Sequence, residues 1–190
     1  RADVGGTNTK IALARHERGR PVVVERHVYK SGEHPALESI IEAFLARPEV
    51  AAHAPRIGAG CFAVAGPVEH GRGRLTNLPW RPDEQEIAQR FGIAHVRLIN
   101  DFAAAGRGIE CLPASDLLTL QSGVPQAHAS RVVVGAGTGL GVALLDWDES
   151  GYEVHPSEAG HCDFAPVDAL QVELLAHLRA EFSRVSYERV

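Results

Sequence analysis

Asn100 and Asp101 stand where an apolar segment ends and a helix is predicted to begin. In open α/β sheets, ligands bind beyond the carboxyl ends of the strands, and an aspartate there is ionised near neutral pH. Asp101 is therefore a candidate base for a hydroxyl proton, with the polar Asn100 beside it. The alternative is that Asp101 only caps the helix that follows.

A second polar pair, Glu158 and His161, lies three residues apart in a loop bounded by prolines. A carboxylate and an imidazole together can accept and donate hydrogen bonds to the neighbouring hydroxyls of a polyol. One alternative is an ordinary polar loop. The other is a zinc site that adds His155 and Cys162, although this spacing matches neither a zinc-binding helix nor a Cys-x-x-Cys knuckle.

Two glycine-rich turns are candidates for binding phosphate. The first comprises Gly5, Gly6, Thr7 and Asn8, where glycine lets backbone N–H groups approach an anion and the other two residues add side-chain donors. The second runs from residue 135 to residue 141 and contains four alternating glycines. It does not fit the Rossmann fingerprint, and the chain has no Walker A loop. The alternative for either turn is an ordinary hairpin.

Asp3 lies on the apolar segment before the first glycine turn. A carboxylate at that place could hold Mg²⁺ through water, or it could be an unremarkable residue at a strand end.

The elements that must position these residues follow the order of a mixed α/β fold. Three strands are predicted at 2–4, 9–15 and 21–29, then a helix at 35–46 whose apolar residues recur every three or four positions. A strand at 56–65, a helix at 83–91, a strand at 95–99 and a helix after 101 complete a mixed sheet with helices on both faces. Strands at 132–134, 142–146 and 152–155 and a helix at 167–182 then begin a second cycle, which indicates a weak internal duplication. Ser186 could cap a further helix.

Two further features leave alternatives open. The segment Thr76-Asn77-Leu78-Pro79-Trp80 could face a sugar, with Trp80 stacked on a pyranose ring, or it could be a turn anchored by a buried tryptophan. Glu188 by itself is typical of a helical surface glutamate.

Composition excludes several classes of protein. The chain has 190 residues, 45% of them hydrophobic and 23% charged, which excludes a disordered tail, collagen or a coiled coil. The net charge is −5 and the basic residues are scattered, so neither nucleic acid nor a membrane surface is an expected partner. The longest apolar stretch, 132–145, is shorter than the roughly 20 residues a bilayer requires. Three cysteines without a Cys-x-x-Cys pair favour a reducing cytoplasm.

Taken together, six motifs resemble those of bacterial ATP-dependent glucokinases. They are specific as a set because they occur in the same order along the whole chain: Asp3 to Asn8, Thr76 to Trp80, Ile99 to Phe102, Gly135 to Gly141, Glu158 to Pro166 and Val185 to Val190. The resemblance implies the actin-like ATPase (ribonuclease H-like) fold, an α/β fold of two domains around a cleft. A small domain would span 1–110, and 111–190 would begin a large domain that is incomplete.

The resemblance also implies a role for each residue. Asp101 would be the catalytic base, and the sugar would be bound by Asn77, Asn100, Asp101, Glu158, His161 and Glu188. ATP phosphates would be bound by Asp3, Gly5, Gly6, Thr7, Asn8, Gly137, Thr138 and Gly139. Ala159 stands where many relatives have glycine.

The implied activity is transfer of the γ-phosphoryl group of ATP to the 6-hydroxyl of glucose, the first step of glycolysis, in the cytoplasm. Mg²⁺ would arrive with ATP and be held through water by Asp3 rather than bound directly. No zinc is expected, because the cysteine-rich motif of related sugar kinases is absent after His161. A homodimer is compatible with the resemblance. The alternatives are a kinase for another hexose or hexosamine, a silent sugar sensor and an actin-type assembly protein.

Glucokinases continue well past the position of Val190, and the sequence has no initiator methionine, so we expect a chain truncated at both ends. Residues that contact adenosine would lie in the missing part. We therefore expect negligible ATP-dependent phosphorylation by residues 1–190 alone.

Overall fold

The strands and helices of a computed structural model follow the predicted order along the chain. The structure describes residues 1–17, 20–137 and 139–190, and the backbone alone at residue 20. The chain forms two compact units, Arg1–Ala105 and Gly106–Val190. Among the described residues, none of the helices has the length and apolar character needed to span a bilayer.

The first unit contains a three-stranded meander followed by alternating helices and strands. Its strands are β1 (Ala2–Val4), β2 (Asn8–Glu17), β3 (Arg20–Lys30), β4 (Ala59–Val64), β5 (Val68–Glu69), β6 (Arg72–Gly73) and β7 (His95–Asn100). Its helices are α1 (Leu37–Leu45), α2 (Pro48–Ala51) and α3 (Glu84–Phe91), and α4 (Asp101–Ile109) begins here and continues into the second unit. The predicted meander and the predicted helices and strands of this unit are confirmed, whereas α2, β5 and β6 were not predicted.

These strands form one mixed sheet in the order β3-β2-β1-β4-β7. The pairs β1–β2 and β2–β3 are antiparallel, and the pairs β1–β4 and β4–β7 are parallel. The expected α/β fold with a mixed sheet flanked by helices is therefore confirmed. Since β1, β4 and β7 run in the same direction, their carboxyl ends meet at one edge of the sheet.

The hydrophobic core of the first unit lies against one face of this sheet. In α1 the residues Leu37, Ile40, Ile41 and Phe44 are all buried, which is the face predicted from their spacing. Side chains alternate across a strand, so Ala2 and Val4 of β1 join this core while Asp3 between them is exposed. The sheet face that bears Asp3 is the less covered one in this unit.

The second unit begins with another antiparallel meander. Its strands β8 (Arg131–Ala136), β9 (Leu140–Asp148) and β10 (Gly151–Ser157) form a sheet in the order β10-β9-β8, and α5 (Ala169–Arg179) follows. Both units thus start with a strand, a glycine-rich turn and two further antiparallel strands, as the internal duplication predicts.

Burial in the second unit is sparse. Ala143, Leu145 and Val154 of the sheet are buried, and none of the residues of α5 is. Leu170, Val172 and Leu174 of α5 are exposed apolar side chains. The predicted helix therefore forms without burying an apolar face inside this unit.

Candidate functional site

The first glycine turn connects β1 to β2. It is closed by a hydrogen bond of 3.0 Å from the Gly5 N–H to the Asn8 carbonyl. A Cβ added at Gly6 would lie 2.9 Å from the Cβ of Asn77, closer than side chains approach one another. Gly6 is therefore required by the close packing of the turn against the loop that carries Asn77.

Asn77 is exposed and lies near the carboxyl end of β4. The preceding residue, Thr76, donates its N–H to the carbonyl of Ala65 at 3.1 Å, which fixes this loop just beyond the strand. The structure thus brings Asn77 next to Gly6, although the two residues are 71 positions apart in the sequence.

Trp80 anchors the same loop. Its side chain is 4% exposed and belongs to the core of the first unit. It also lines a small cavity of about 270 Å³ together with Thr76. Of the two alternatives for this segment, the turn anchored by a buried tryptophan is confirmed, and stacking of Trp80 on a sugar is wrong for this structure.

Asn100 ends β7 and caps α4. Its side-chain oxygen accepts the N–H groups of Phe102 at 2.9 Å and Ala103 at 3.1 Å, and its amide nitrogen donates to the carbonyl of Gly66 at 3.2 Å. These contacts join the start of α4 to the end of β4. Asn100 thus caps α4 and positions Asp101, and its side-chain oxygen is occupied by the two hydrogen bonds from the helix.

Asp101 is partly buried at the first turn of α4, beyond the carboxyl end of β7. Its carboxylate accepts the N–H of Phe102 at 2.9 Å. Burial raises the pKa of Asp101, and the negative charge of Asp3 raises it further, while the hydrogen bond from Phe102 opposes both effects. A carboxylate with a raised pKa is a stronger proton acceptor than an ordinary surface aspartate.

Asp3 contributes the second carboxylate of this region. Its side chain is exposed, and one of its oxygens lies 3.4 Å from the Lys10 ammonium nitrogen. An exposed carboxylate that keeps access to water suits contact with Mg²⁺ through water molecules. No group of three or more His, Cys, Asp or Glu side chains in the described part of the chain could hold a metal ion.

The second glycine turn connects β8 to β9 and carries Gly137 and Gly139. The N–H of Gly137 donates to the carbonyl of Gly139 at 2.8 Å, and Gly135 pairs with Gly141 across the hairpin. Thr138 lies outside the described residues. A Cβ at Gly139 would lie 2.6 Å from a carboxylate oxygen of Glu188, so this glycine makes room for that side chain.

The side chains of Glu158, His161 and Glu188 form a row of neighbouring polar groups in the second unit. The Nε2 atom of His161 lies 3.5 Å from a carboxylate oxygen of Glu158, and its Nδ1 atom lies 3.6 Å from Oε1 of Glu188. The other oxygen of Glu188 accepts the N–H of Leu140 at 2.9 Å. Glu158 is 90% exposed and Glu188 only 28%. Glu188 therefore links the imidazole to the backbone of the second glycine turn.

Backbone contacts hold the segments of this cluster together. Tyr187 donates its N–H to the carbonyl of Cys162, and Phe164 donates to Val185, each at 3.0 Å. A Cβ at Gly160 would overlap the Leu140 carbonyl, so glycine permits this approach. The predicted capping by Ser186 is wrong, because its side chain makes no capping hydrogen bond to the short 3₁₀ turn that follows.

No role was predicted for Thr9, Ser31 or the Leu140 N–H. There was one indication for Thr9 in the sequence: it is a polar residue on the face of β2 that also carries the buried Ile11. Contacts made by backbone atoms, such as that of Leu140, leave no signal in the identity of the residue.

The comparison with protein families decides the assignment. A family model described as glucokinase matches residues 1–190. The chain belongs to the glucokinase family. A glucokinase from Nostoc sp. strain PCC 7120 is 41% identical over 191 residues, which cover 99% of this chain and 55% of that protein.

Solved glucokinase structures agree with the fold. The crystal structure of glucokinase from an Antarctic psychrotroph has a TM-score of 0.82 and 32% identity, covering all of this chain and 58% of that one. Glucokinase from Balamuthia mandrillaris in complex with glucose has a TM-score of 0.69 and 25% identity over 98% of this chain and 57% of that one. The expected glucokinase resemblance and the fold are confirmed. The chain spans somewhat more than half the length of the relatives it matches.

Proposed function

We propose that the protein transfers the γ-phosphoryl group of ATP to the 6-hydroxyl of glucose, giving glucose 6-phosphate and ADP. The observation that carries the proposal is the environment of Asp101, a partly buried carboxylate beyond the end of a parallel strand, with a pKa raised by burial. Membership of the glucokinase family and the glucose bound to the Balamuthia relative support this choice of substrate. The cytoplasm is the compartment that supplies both substrates.

In the proposed reaction, Asp101 accepts the proton of the sugar 6-hydroxyl while the oxygen of that hydroxyl forms a bond to the γ-phosphorus. The bond between that phosphorus and the bridging oxygen of ADP breaks, and Asp101 later releases the proton to solvent. Most of the catalysis comes from positioning and from neutralising charge on the transferred group. Asn100 contributes by capping α4 and thereby fixing where Asp101 stands.

The two glycine turns bind the phosphates of ATP in this proposal. Gly5, Gly6, Thr7 and Asn8 act in the first unit, and Gly137, Thr138 and Gly139 in the second. A divalent cation, Mg²⁺ in the usual case, would neutralise phosphate charge when bound with ATP. Asp3 would contact it through water, and its exposed carboxylate leaves space for that water.

Sugar recognition is assigned to Glu158, His161 and Glu188, with Asn77 and Asn100 as further ligands. The hydrogen-bonding capacity of a carboxylate, an imidazole and a second carboxylate suits a row of hydroxyls, each of which both donates and accepts. At 3.5 and 3.6 Å the contacts of His161 with the two carboxylates are weak, so hydrogen bonds to sugar hydroxyls can replace them at little cost.

The test is the Asp101→Asn variant of the protein at its natural length. We expect glucose binding, measured by calorimetry, to stay within about threefold of wild type while kcat falls by roughly 10²-fold or more, the range typical of a lost general base. Asp146→Asn, which removes an exposed carboxylate on β9, is the matched control and should leave kcat unchanged. A near-normal kcat for Asp101→Asn would refute the role of Asp101 as base.

A further inference from the structure

Two buried hydroxyl groups lie directly behind the first glycine turn. Thr9 belongs to β2 and Ser31 follows the end of β3, and neither has any exposed surface. Their side-chain oxygens are 3.0 Å apart. Burying two hydroxyls is unfavourable unless both are hydrogen bonded, so their partners indicate what this pair does.

The hydroxyls form an ordered chain that ends on the turn. Ser31 donates its hydroxyl proton to the carbonyl of Gly5 at 2.7 Å. A serine hydroxyl has only one proton, so the proton in the contact between the two side chains comes from Thr9. The order of donation is therefore Thr9 to Ser31 to Gly5.

Ser31 also holds the turn through its backbone. Its N–H donates to the carbonyl of Thr7 at 3.0 Å, so one residue binds two carbonyls of the turn. In a trans peptide the carbonyl and the next N–H point in opposite directions, and the described residues contain no cis peptide. The N–H groups of Gly6 and Asn8 consequently point away from Ser31.

We propose that Ser31 and Thr9 are positioning residues that hold the first glycine turn in the shape that binds the phosphates of ATP. The inference rests on the proposed function, because it requires that the turn bind ATP. By binding the carbonyls of Gly5 and Thr7, the pair keeps the N–H groups of Gly6 and Asn8 directed away from Ser31 before the anion arrives. Loss of the pair lets these peptide groups rotate, and phosphate binding then has to restore their orientation.

The experiment measures KM for ATP and for glucose in variants of the protein at its natural length. Ser31→Ala and Thr9→Val each break the hydroxyl chain, and Thr9→Val keeps the shape of the side chain. Thr9→Ser keeps the hydroxyl and removes only a methyl group. Ser39→Ala is the matched control, because Ser39 donates to the Ala36 carbonyl at 2.8 Å without touching the turn.

We expect Ser31→Ala and Thr9→Val to raise KM for ATP roughly tenfold, the factor that corresponds to about 1.4 kcal/mol. KM for glucose should stay within about twofold, and calorimetric binding of ADP should weaken in parallel with KM for ATP. Thr9→Ser and Ser39→Ala should both resemble wild type. This pattern separates positioning from packing, since a packing role would make Thr9→Val benign and Thr9→Ser harmful.

Three results would overturn the inference. One is an unchanged KM for ATP in both Ser31→Ala and Thr9→Val, and another is an equal rise of both KM values. The third is the reversed order of the two Thr9 variants. An active wild-type enzyme with unaffected variants contradicts only this inference, whereas a wild-type protein that neither binds ADP nor uses ATP contradicts the proposed function as well.

Discussion

Two substitutions of Glu188 distinguish the contacts that its two carboxylate oxygens make. One oxygen accepts the N–H of Leu140 at 2.9 Å, and the other faces His161 at 3.6 Å. The variant Glu188→Ala removes both contacts. Glu188→Gln keeps an oxygen that can accept from Leu140 but loses the negative charge.

The stability effect follows from the hydrogen bond to Leu140. A bond to a charged acceptor contributes about 1.5 to 3 kcal/mol, and part of this is recovered where water can reach the exposed N–H group. Leu140 is only partly buried, so we expect Glu188→Ala to lower the free energy of unfolding by about 1 to 2 kcal/mol. Glu188→Gln should lower it by less than about half as much.

The two variants should differ in stability but not in their effect on KM for glucose. Both variants lose the carboxylate that we propose binds the sugar, so both should raise KM for glucose about tenfold or more, while KM for ATP changes much less. Urea denaturation followed by circular dichroism measures the stability, and a coupled assay measures the two KM values. The exposed Glu173 on α5 provides the matched control, Glu173→Ala, which should change neither quantity.

Two outcomes would refute this reasoning. Equal destabilisation by Glu188→Gln and Glu188→Ala would show that the bond to Leu140 does not hold this segment. An unchanged KM for glucose in both variants would show that Glu188 does not bind the sugar.

Three further predictions follow from the same contacts. Asp101 acts as a base only when it is ionised, and its pKa is raised, so kcat/KM should fall, as the pH is lowered, at a higher pH than for an ordinary aspartate. Asp3→Asn removes a like charge and should move that fall to lower pH in a pH–rate profile. Gly6→Ala places a Cβ 2.9 Å from that of Asn77, so KM for ATP should rise severalfold in the coupled assay, and an unchanged value would contradict the required close approach. Atomic absorption on purified protein should find substoichiometric zinc, and a tightly held equivalent would restore the zinc interpretation of the loop around His161.

The elements of the fold were largely predictable from local patterns in the sequence. The apolar spacing of Leu37, Ile40, Ile41 and Phe44 identified α1, because one buried face of a helix leaves a direct period in the sequence. Asp83 ends the loop before α3 and accepts the N–H groups of Gln85 and Glu86 as an ordinary cap, so the start of that helix was predictable as well.

The contacts within the candidate site were predictable only in part. The spacing of Glu158 and His161 suggested that they act together, since they are three residues apart. The contact of Glu188 with Leu140 joins residues 48 positions apart and involves a backbone atom, which no residue type reveals. The same holds for Ser31, whose hydroxyl meets Gly5 across 26 positions. For Trp80 two interpretations stayed open, because a tryptophan can either pack in a core or stack on a sugar ring. Only its burial in the structure decides between them.

The most direct test of the proposed function is product analysis with a panel of hexoses. The protein at its natural length is incubated with ATP, Mg²⁺ and glucose, mannose, fructose or N-acetylglucosamine, and the phosphorylated product is identified by phosphorus and carbon NMR. We expect glucose to have the highest kcat/KM and to carry the new phosphate on O6, with one ADP formed for each glucose 6-phosphate. A higher kcat/KM for another sugar, phosphate on another hydroxyl, or ATP consumption without a sugar phosphate would contradict the proposal.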